Sequence, residues 1–224
     1  MATLDAIPLN PVTIGPVMTG RARAFRGDEP SAIAKTPAEG PVRIGPLGLE
    51  GDEQADRINH GGPDKAIHHY ALDHYSSWQE EIGPHPLLGS PGGFGENIST
   101  TGLTESDLWI GDRLRLGTAL VEVSHGRQPC WKIDHRFQRK DVTARIIQTA
   151  RSGWYYRVIE PGSVQAGDTL ELVERGHEGW SVERVFRLLL PGKPARDGNE
   201  IRELAGLSAL ADVWKARARK LLGE

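Results

Sequence analysis

At 224 residues the chain is long enough for one large domain, or a domain with a small appendage, and for a buried core that needs no staples. Its single cysteine, Cys130, rules out an internal disulfide, and a formal charge of -3 argues against bulk electrostatic binding to nucleic acid. No stretch approaches the ~20 apolar residues of a membrane span, and the opening MATLDAIPLNPVTIG lacks a basic region followed by an apolar run, so a soluble cytoplasmic protein is expected.

Glycine (27) and proline (15) suit short strands and many turns. PVTIGPVMTGRAR reads as a strand, a turn and a second edge-like piece, and VRIGPLGLEGDE as a short strand entering a glycine-rich turn. In DKAIHHYALDHYSSWQEEI the residues Ile67, Tyr70, Leu72, Tyr75, Trp78 and Ile82 recur at helical spacing, which predicts a helix carrying His68 and His69 near its start. GPHPLLGSPGGFGENIST must be loop, and loops of that length in compact domains tend to be functional. The segments Gly111 to Leu116 and Gly167 to Leu172 echo one another, each a Gly-Asp turn before alternating leucines. Between them ALVEVSHG and WYYRVIEPG predict strands, and DVTARIIQTARSG predicts a helix capped by Asp141 and ending at Gly153. Residues 1–174 therefore read as one mainly β (α+β) domain with two inserted helices. From residue 175 to 224 a small three-helix appendage is expected, with Ser181, Asn199 and Ser208 as caps and a need to pack on the larger domain.

Three clusters could carry chemistry. Cys130 lies just past a strand end in HGRQPCWKIDH; a free cysteine is as often a buried small hydrophobe, but Arg127 and Lys132 nearby would favour a thiolate nucleophile or soft-metal ligand. His60, Gly61 and Gly62 in NHGGPDKA suit a backbone nest for an anion, although a lone histidine is more often a surface or hydrogen-bonded group. Glu96 and Asn97 offer acceptors and donors for a polar heterocycle, against the plainer reading of a capped turn. Zinc is weakly supported, because no C-x-x-C, H-x-x-x-H or H-E-x-x-H spacing occurs.

Taken together, GLEGDEQADRINHGGPDKAIHHY, GFGENISTTGLTESDLWIGDRLRLG, RQPCWK and AGDTLELVER resemble the MOSC family, the molybdenum cofactor sulfurase C-terminal domain, and are closest to its stand-alone bacterial type. The resemblance runs from about Pro30 to Glu174, and the tail from Ser181 resembles the small helical domain of that subgroup. It implies a β-barrel-like fold with a cleft, a molybdenum cofactor (molybdopterin), and reduction of N-hydroxylated compounds such as N-hydroxylaminopurines. On this reading Cys130 is the catalytic residue and the metal ligand, and Lys35, Asp52, His60, Gly61, Gly62, His69, Tyr70, Glu96, Asn97 and Arg127 form the cofactor-binding set. His68 falls where the family varies and is left out, and nothing is transferred to His125 or Trp131. No flavin, iron–sulfur cluster or pyridoxal phosphate is expected in this chain, so electrons would come from a separate flavin or iron–sulfur protein, and self-association stays open. A non-catalytic carrier of the cofactor or of sulfur, and a Cys/His thiol hydrolase, are the remaining alternatives.

Overall fold

The computed structural model describes residues 9–56, 61–190 and 197–224. At its centre is a seven-stranded sheet in the order Val12–Thr13, Thr169–Glu174, Arg113–Leu116, Ala119–Gly126, Trp154–Glu160, Ile67–Ala71, Ile98–Thr100. All pairings are antiparallel except the last, which is parallel. The two edges approach one another, since the amide of Gly15 donates to Ser99 O at 3.1 Å and that of Met18 to Asn97 O at 2.7 Å, so the sheet curls into a nearly closed barrel. Closure of this kind hides strand edges that would otherwise be sticky.

The echoing leucine segments are neighbours. Leu114 faces Leu172 and Leu116 faces Leu170 across an antiparallel ladder, so one face buries leucine while arginine and glutamate alternate on the other. Smaller pairings decorate the barrel: Val42–Gly45 between Gly48–Leu49 and Gly162–Val164, and a hairpin of Arg23–Arg26 with Glu29–Ser31.

Helical expectations are met unevenly. The segment predicted as one long helix divides into the strand Ile67–Ala71 and helix α1, Asp73–Ile82. All five strand residues are buried and both edges are paired, so no polar face exists to display a period of two, and tertiary pairing overrides the helical spacing. A helix not expected from sequence, α2 (Trp131–Arg136), starts directly after Cys130 and makes the inserted helices three rather than two. In α3, Val142–Thr149, the Asp141 side chain does not cap; Asp134 accepts from the Thr143 amide at 2.8 Å, while Asp141 is held by Arg139 and Arg145.

The tail forms α4 (Val182–Leu189), α5 (Gly198–Ala205) and α6 (Asp212–Leu222). Ser181 caps α4 as expected, but Asp197 rather than Asn199 caps α5, and α6 begins four residues beyond Ser208. These helices share the barrel's core: Phe186 is fully buried, its ring 3.3 Å from where a Cβ on Gly126 would sit, and Trp214 stacks on His125 with centroids 5.6 Å apart. Among the described residues, no helix is long and apolar enough to cross a membrane.

Because Phe186 joins appendage to barrel, Phe186→Ala is expected to cost about 3–5 kcal/mol. Urea unfolding followed by tryptophan fluorescence should show the lowered midpoint, and an unchanged midpoint would show that the tail does not depend on this contact.

Candidate functional site

Three adjacent strands set up the site. Tyr155 pairs with His68 on one side and with His125 on the other, so the three side chains form a rib on one face of the sheet. Ring centroids are 5.1 Å apart for His68 and Tyr155, and 5.2 Å for His125 and Tyr155. His69 and Trp154 pair with each other one residue along and therefore occupy the opposite face. The rib continues into the chain that leaves the strand at Gly126, where Arg127 donates its amide to Gly153 O at 2.9 Å. Gly153 has φ 67, and a Cβ there would lie 2.5 Å from His69 O, so this close crossing requires glycine.

Over the rib lies a cleft of about 600 Å³, counting its open mouth. Five of the residues selected from sequence line it: Lys35, Asp52, Asn97, Arg127 and Cys130. Cys130 is half-buried, immediately before α2, with its carbonyl accepting from the Ile133 amide at 3.0 Å and the Thr143 hydroxyl at 3.3 Å. Lys132 donates to Pro30 O at 3.1 Å, tying α2 to the hairpin that forms the opposite wall.

Two buried polar atoms on residues that line this cleft have no hydrogen-bond partner among the described residues: Arg127 Nη1 and His68 Nε2, the latter lying against Gly153. A buried orphan donor or acceptor costs about 1–3 kcal/mol, which a ligand can recover. Neither Arg127 nor Lys132 is paired with a carboxylate among the described residues. Burial, and secondarily the Arg127 cation, hold the pKa of His68 well below the ordinary histidine value, so its ring is neutral. Burial raises the Tyr155 pKa above its usual value, so the hydroxyl facing Arg127 keeps its proton at neutral pH.

Asp52 and Asn97 build the cleft rather than offering groups to it. The carboxylate of Asp52 takes the Lys35 ammonium and the Gly20 amide (2.8 Å) on Oδ1, and the Asn97 amide (2.8 Å) on Oδ2. Asn97 Nδ2 also donates to Met18 O at 3.0 Å, while its Oδ1 accepts from the His68 amide at 3.0 Å. Each polar atom of the Asn97 side chain therefore has a partner within the protein, with one Oδ1 lone pair left over. Burial lowers the Lys35 pKa, and the Asp52 partner works against that shift.

Other sequence-selected residues lie elsewhere. Glu96 is fully buried and accepts from the Tyr75 hydroxyl (2.6 Å) and the amides of Gly92 (2.7 Å) and Phe94 (3.0 Å), locking the loop that leads into the strand Ile98–Thr100. His69 bonds Tyr156 and Thr100 behind the sheet. The Tyr70 ring stacks on Phe94, and its hydroxyl accepts from Trp78 and donates to Arg151 O. None of the three lines the cleft: alternation puts His69 on the face opposite His68, loop bonding turns Glu96 inward, and Tyr70, on the same face as His68, is packed on Phe94. Gly62, at φ 99, opens the short turn Pro63–Lys65 and lines a neighbouring depression that shares Asp52, Glu53 and Gln54 with the cleft; Gly61 does not line the cleft, and His60 lies outside the described residues.

The cofactor-binding set read from sequence lacks Lys65, His68, Tyr155 and Lys132, the last noted only for its effect on Cys130, although all four line the cleft. One signal was available. Adjacent histidines on a strand must face opposite ways, so His68 and His69 cannot both reach one cleft. Among the described residues, no group of three or more His, Cys, Asp or Glu side chains is arranged to hold a metal ion, so a metal at Cys130 would bring most of its ligands with it.

A family model described as MOSC domain matches residues 56–171. The chain is 46% identical to Protein YiiM of Escherichia coli over 71% of each chain. It is 40% identical over 190 residues to a protein of Gibberella moniliformis named Reductase, covering 83% of this chain and 34% of that one. The crystal structure of YiiM from Escherichia coli superposes with a TM-score of 0.78 at 32% identity, covering 96% of this chain and 95% of that one.

The buried histidines make acid sensitivity predictable. Burial lowers the pKa of His125 to about 4 and that of His69 to about 3, from an ordinary 6.5. The unfolded chain takes up these protons first as pH falls through 6.5, so unfolding free energy is full above that pH and declines toward pH 4. Urea midpoints measured from pH 7.5 to 4.5 should fall progressively, with a shallower slope in His69→Gln; equal slopes in the two proteins would show that His69 is not a source of the effect.

Proposed function

The chain belongs to the MOSC domain family, in its YiiM branch, and from that premise we propose that its cleft holds a molybdenum cofactor with Cys130 as the protein's ligand to the metal, and that the protein reduces N-hydroxylated compounds. Family membership and the relative named Reductase fit a molybdenum-cofactor-associated function. The observation that carries the finer reading is the coincidence, in one cleft, of a half-buried thiol with a buried arginine whose Nη1 has no partner among the described residues.

The lining suits such a group chemically. A soft sulfur donor suits molybdenum, and Arg127 with Lys132 suits an anionic phosphate. The neutral ring of His68 adds an uncharged wall to the cleft, while Glu96 is bonded within its own loop. When bound, the cofactor would supply the two-electron chemistry that breaks an N–O bond, giving amine and water from an N-hydroxylated substrate, two electrons and two protons. Tyr155 keeps a proton on its hydroxyl beside Arg127, where it can be given to the departing oxygen. The electrons would come from a separate flavin or iron–sulfur protein.

Replacing Cys130 with alanine should abolish both molybdenum retention, measured by elemental analysis of protein from molybdenum-replete cells, and reduction of an N-hydroxylaminopurine with a competent electron donor. Arg127→Met should lower cofactor content about tenfold or more, since a desolvated charged contact is lost. Full activity in Cys130→Ala would overturn the mechanism. Bound cofactor without turnover in the unaltered protein would point to a carrier instead.

A further inference from the structure

A second cavity, of about 1090 Å³ counting its open mouth, shares Lys65, Cys130, Lys132 and Tyr155 with the cleft. Three separate pieces of chain frame it. Glu29 comes from the hairpin of Arg23–Arg26 with Glu29–Ser31, Trp131 opens α2, and Val213 and Trp214 belong to α6. The hairpin is fastened to α2 by ring contacts of Phe25 with Trp131 (centroids 6.1 Å apart) and with His135 (4.8 Å), and the Arg26 guanidinium lies 3.7 Å from the centre of the Trp131 ring.

Two properties set this face apart from the rest of the surface. It is cationic: residues 21–31, 131–141 and 212–224 hold 11 lysines and arginines against 6 aspartates and glutamates, while the rest of the chain holds 16 against 24. Arg23 and Lys220 are exposed and have no ion-pair partner among the described residues. On α6, Arg217 and Lys220 follow Val213 by four and seven residues and so share its face of the helix. The centre of the same surface is aromatic and apolar, with Val213 54% exposed and Phe25 and Trp131 half-buried. Aromatic and aliphatic side chains inside a charged, arginine-bearing rim are the make-up of a protein-binding surface.

We propose that this face is where the electron-donor protein docks, and that the donor is a small protein with an acidic surface around its redox group. The inference rests on the reductase reading, in which two electrons and two protons turn N–OH into amine and water and the donor leaves oxidised by two electrons. The chain's single cysteine falls short of the set of thiolates that an iron–sulfur cluster takes, so those electrons have to cross a protein–protein contact. Contacts of that kind are small and depend on charge for the rate of encounter more than for affinity. The cavity lined by Cys130 lies between the hairpin, α2 and α6, so a donor seated on them faces the thiol's end of the cleft. A compact acidic protein covers the cationic face alone, whereas a long polyanion such as duplex DNA, or an anionic membrane, also meets the acidic remainder of the chain and is repelled by it.

Turnover of 6-hydroxylaminopurine by the molybdenum-replete full-length protein would be followed with two reductants: photoreduced flavodoxin, a small acidic electron carrier, and reduced methyl viologen, a small cation with no need of a basic surface. Arg23→Glu and Lys220→Glu alter the face without touching any residue that lines the cleft. Together they are expected to lower the flavodoxin-driven rate at low salt by about tenfold or more, and added salt should lower it in the parent protein, while the viologen-driven rate does not fall. Arg202→Glu, exposed on α5 outside the three segments, should leave both rates unchanged. Equal flavodoxin-driven rates in parent and double variant would overturn the docking face and leave the reductase reading standing, and so would a parent that works with viologen alone. No turnover with either reductant would sink the reductase reading, and calorimetric binding of oxidised flavodoxin then decides the face: binding lost in the double variant supports it, and no binding to the parent overturns it. Tighter binding of a short DNA duplex or of phosphatidylglycerol vesicles than of flavodoxin would overturn the choice of a protein partner.

Discussion

The register that sets Tyr155 between His68 and His125 is the constraint on which the site depends. Side chains on paired strands share a face, so fixing one residue of the rib fixes the other two, and a slip by one position would exchange His68 for His69 and turn Tyr155 into the core. The ladder is pinned from outside the rib. Asn97 ties the backbone of His68 to Met18 and to Asp52, so strand, N-terminal segment and cleft wall hold one another in place. Asp52 in turn holds Lys35, and this buried pair is balanced by the amides of Gly20 and Asn97.

Around that frame, polar groups divide into those used up by the fold and those left over. Glu96, Asn97, Asp52 and His69 have their hydrogen-bonding capacity engaged inside the protein, and they make the barrel rigid. Arg127, His68 and His125 each retain a buried atom with no partner among the described residues and line a cavity that Cys130 also lines; Ser99, Arg151, Trp154 and Arg175 keep such atoms elsewhere, so it is the coincidence with the thiol that singles out the first three. The pKa directions agree with this division: both site histidines are held neutral by burial, ready to accept or donate a single hydrogen bond rather than to carry charge.

The appendage belongs to the same argument. Its helices are short, and their apolar faces are completed by Gly126 and His125 of the central strand Ala119–Gly126 rather than by one another alone. Packing Phe186 and Trp214 onto that strand makes Val213 and Trp214 part of the lining of a cavity that Cys130 also lines. Stability and the shape of the site therefore come from one interface.

Much was legible without coordinates. Alternating leucines identified Arg113–Leu116 and Thr169–Glu174 as strands, Ala119–Gly126 and Trp154–Glu160 were also read as strands, and the motif set around Cys130 identified the family and brought Lys35, Asp52, Asn97, Arg127 and Cys130 into view. These features are local, or are carried by a string of residues in order, so a single chain displays them. The strand Ile67–Ala71 was misread because it is buried on both faces and has no polar side to show its period. How Glu96 and Asn97 are bonded, which of two adjacent histidines lines the cleft, and that Val213 and Trp214 line a cavity with Cys130 across about eighty residues of chain were decided by tertiary structure. The physical reason is that a side chain's hydrogen-bonding capacity is allotted among neighbours distant in sequence, and only the register of the closed sheet determines which capacity remains.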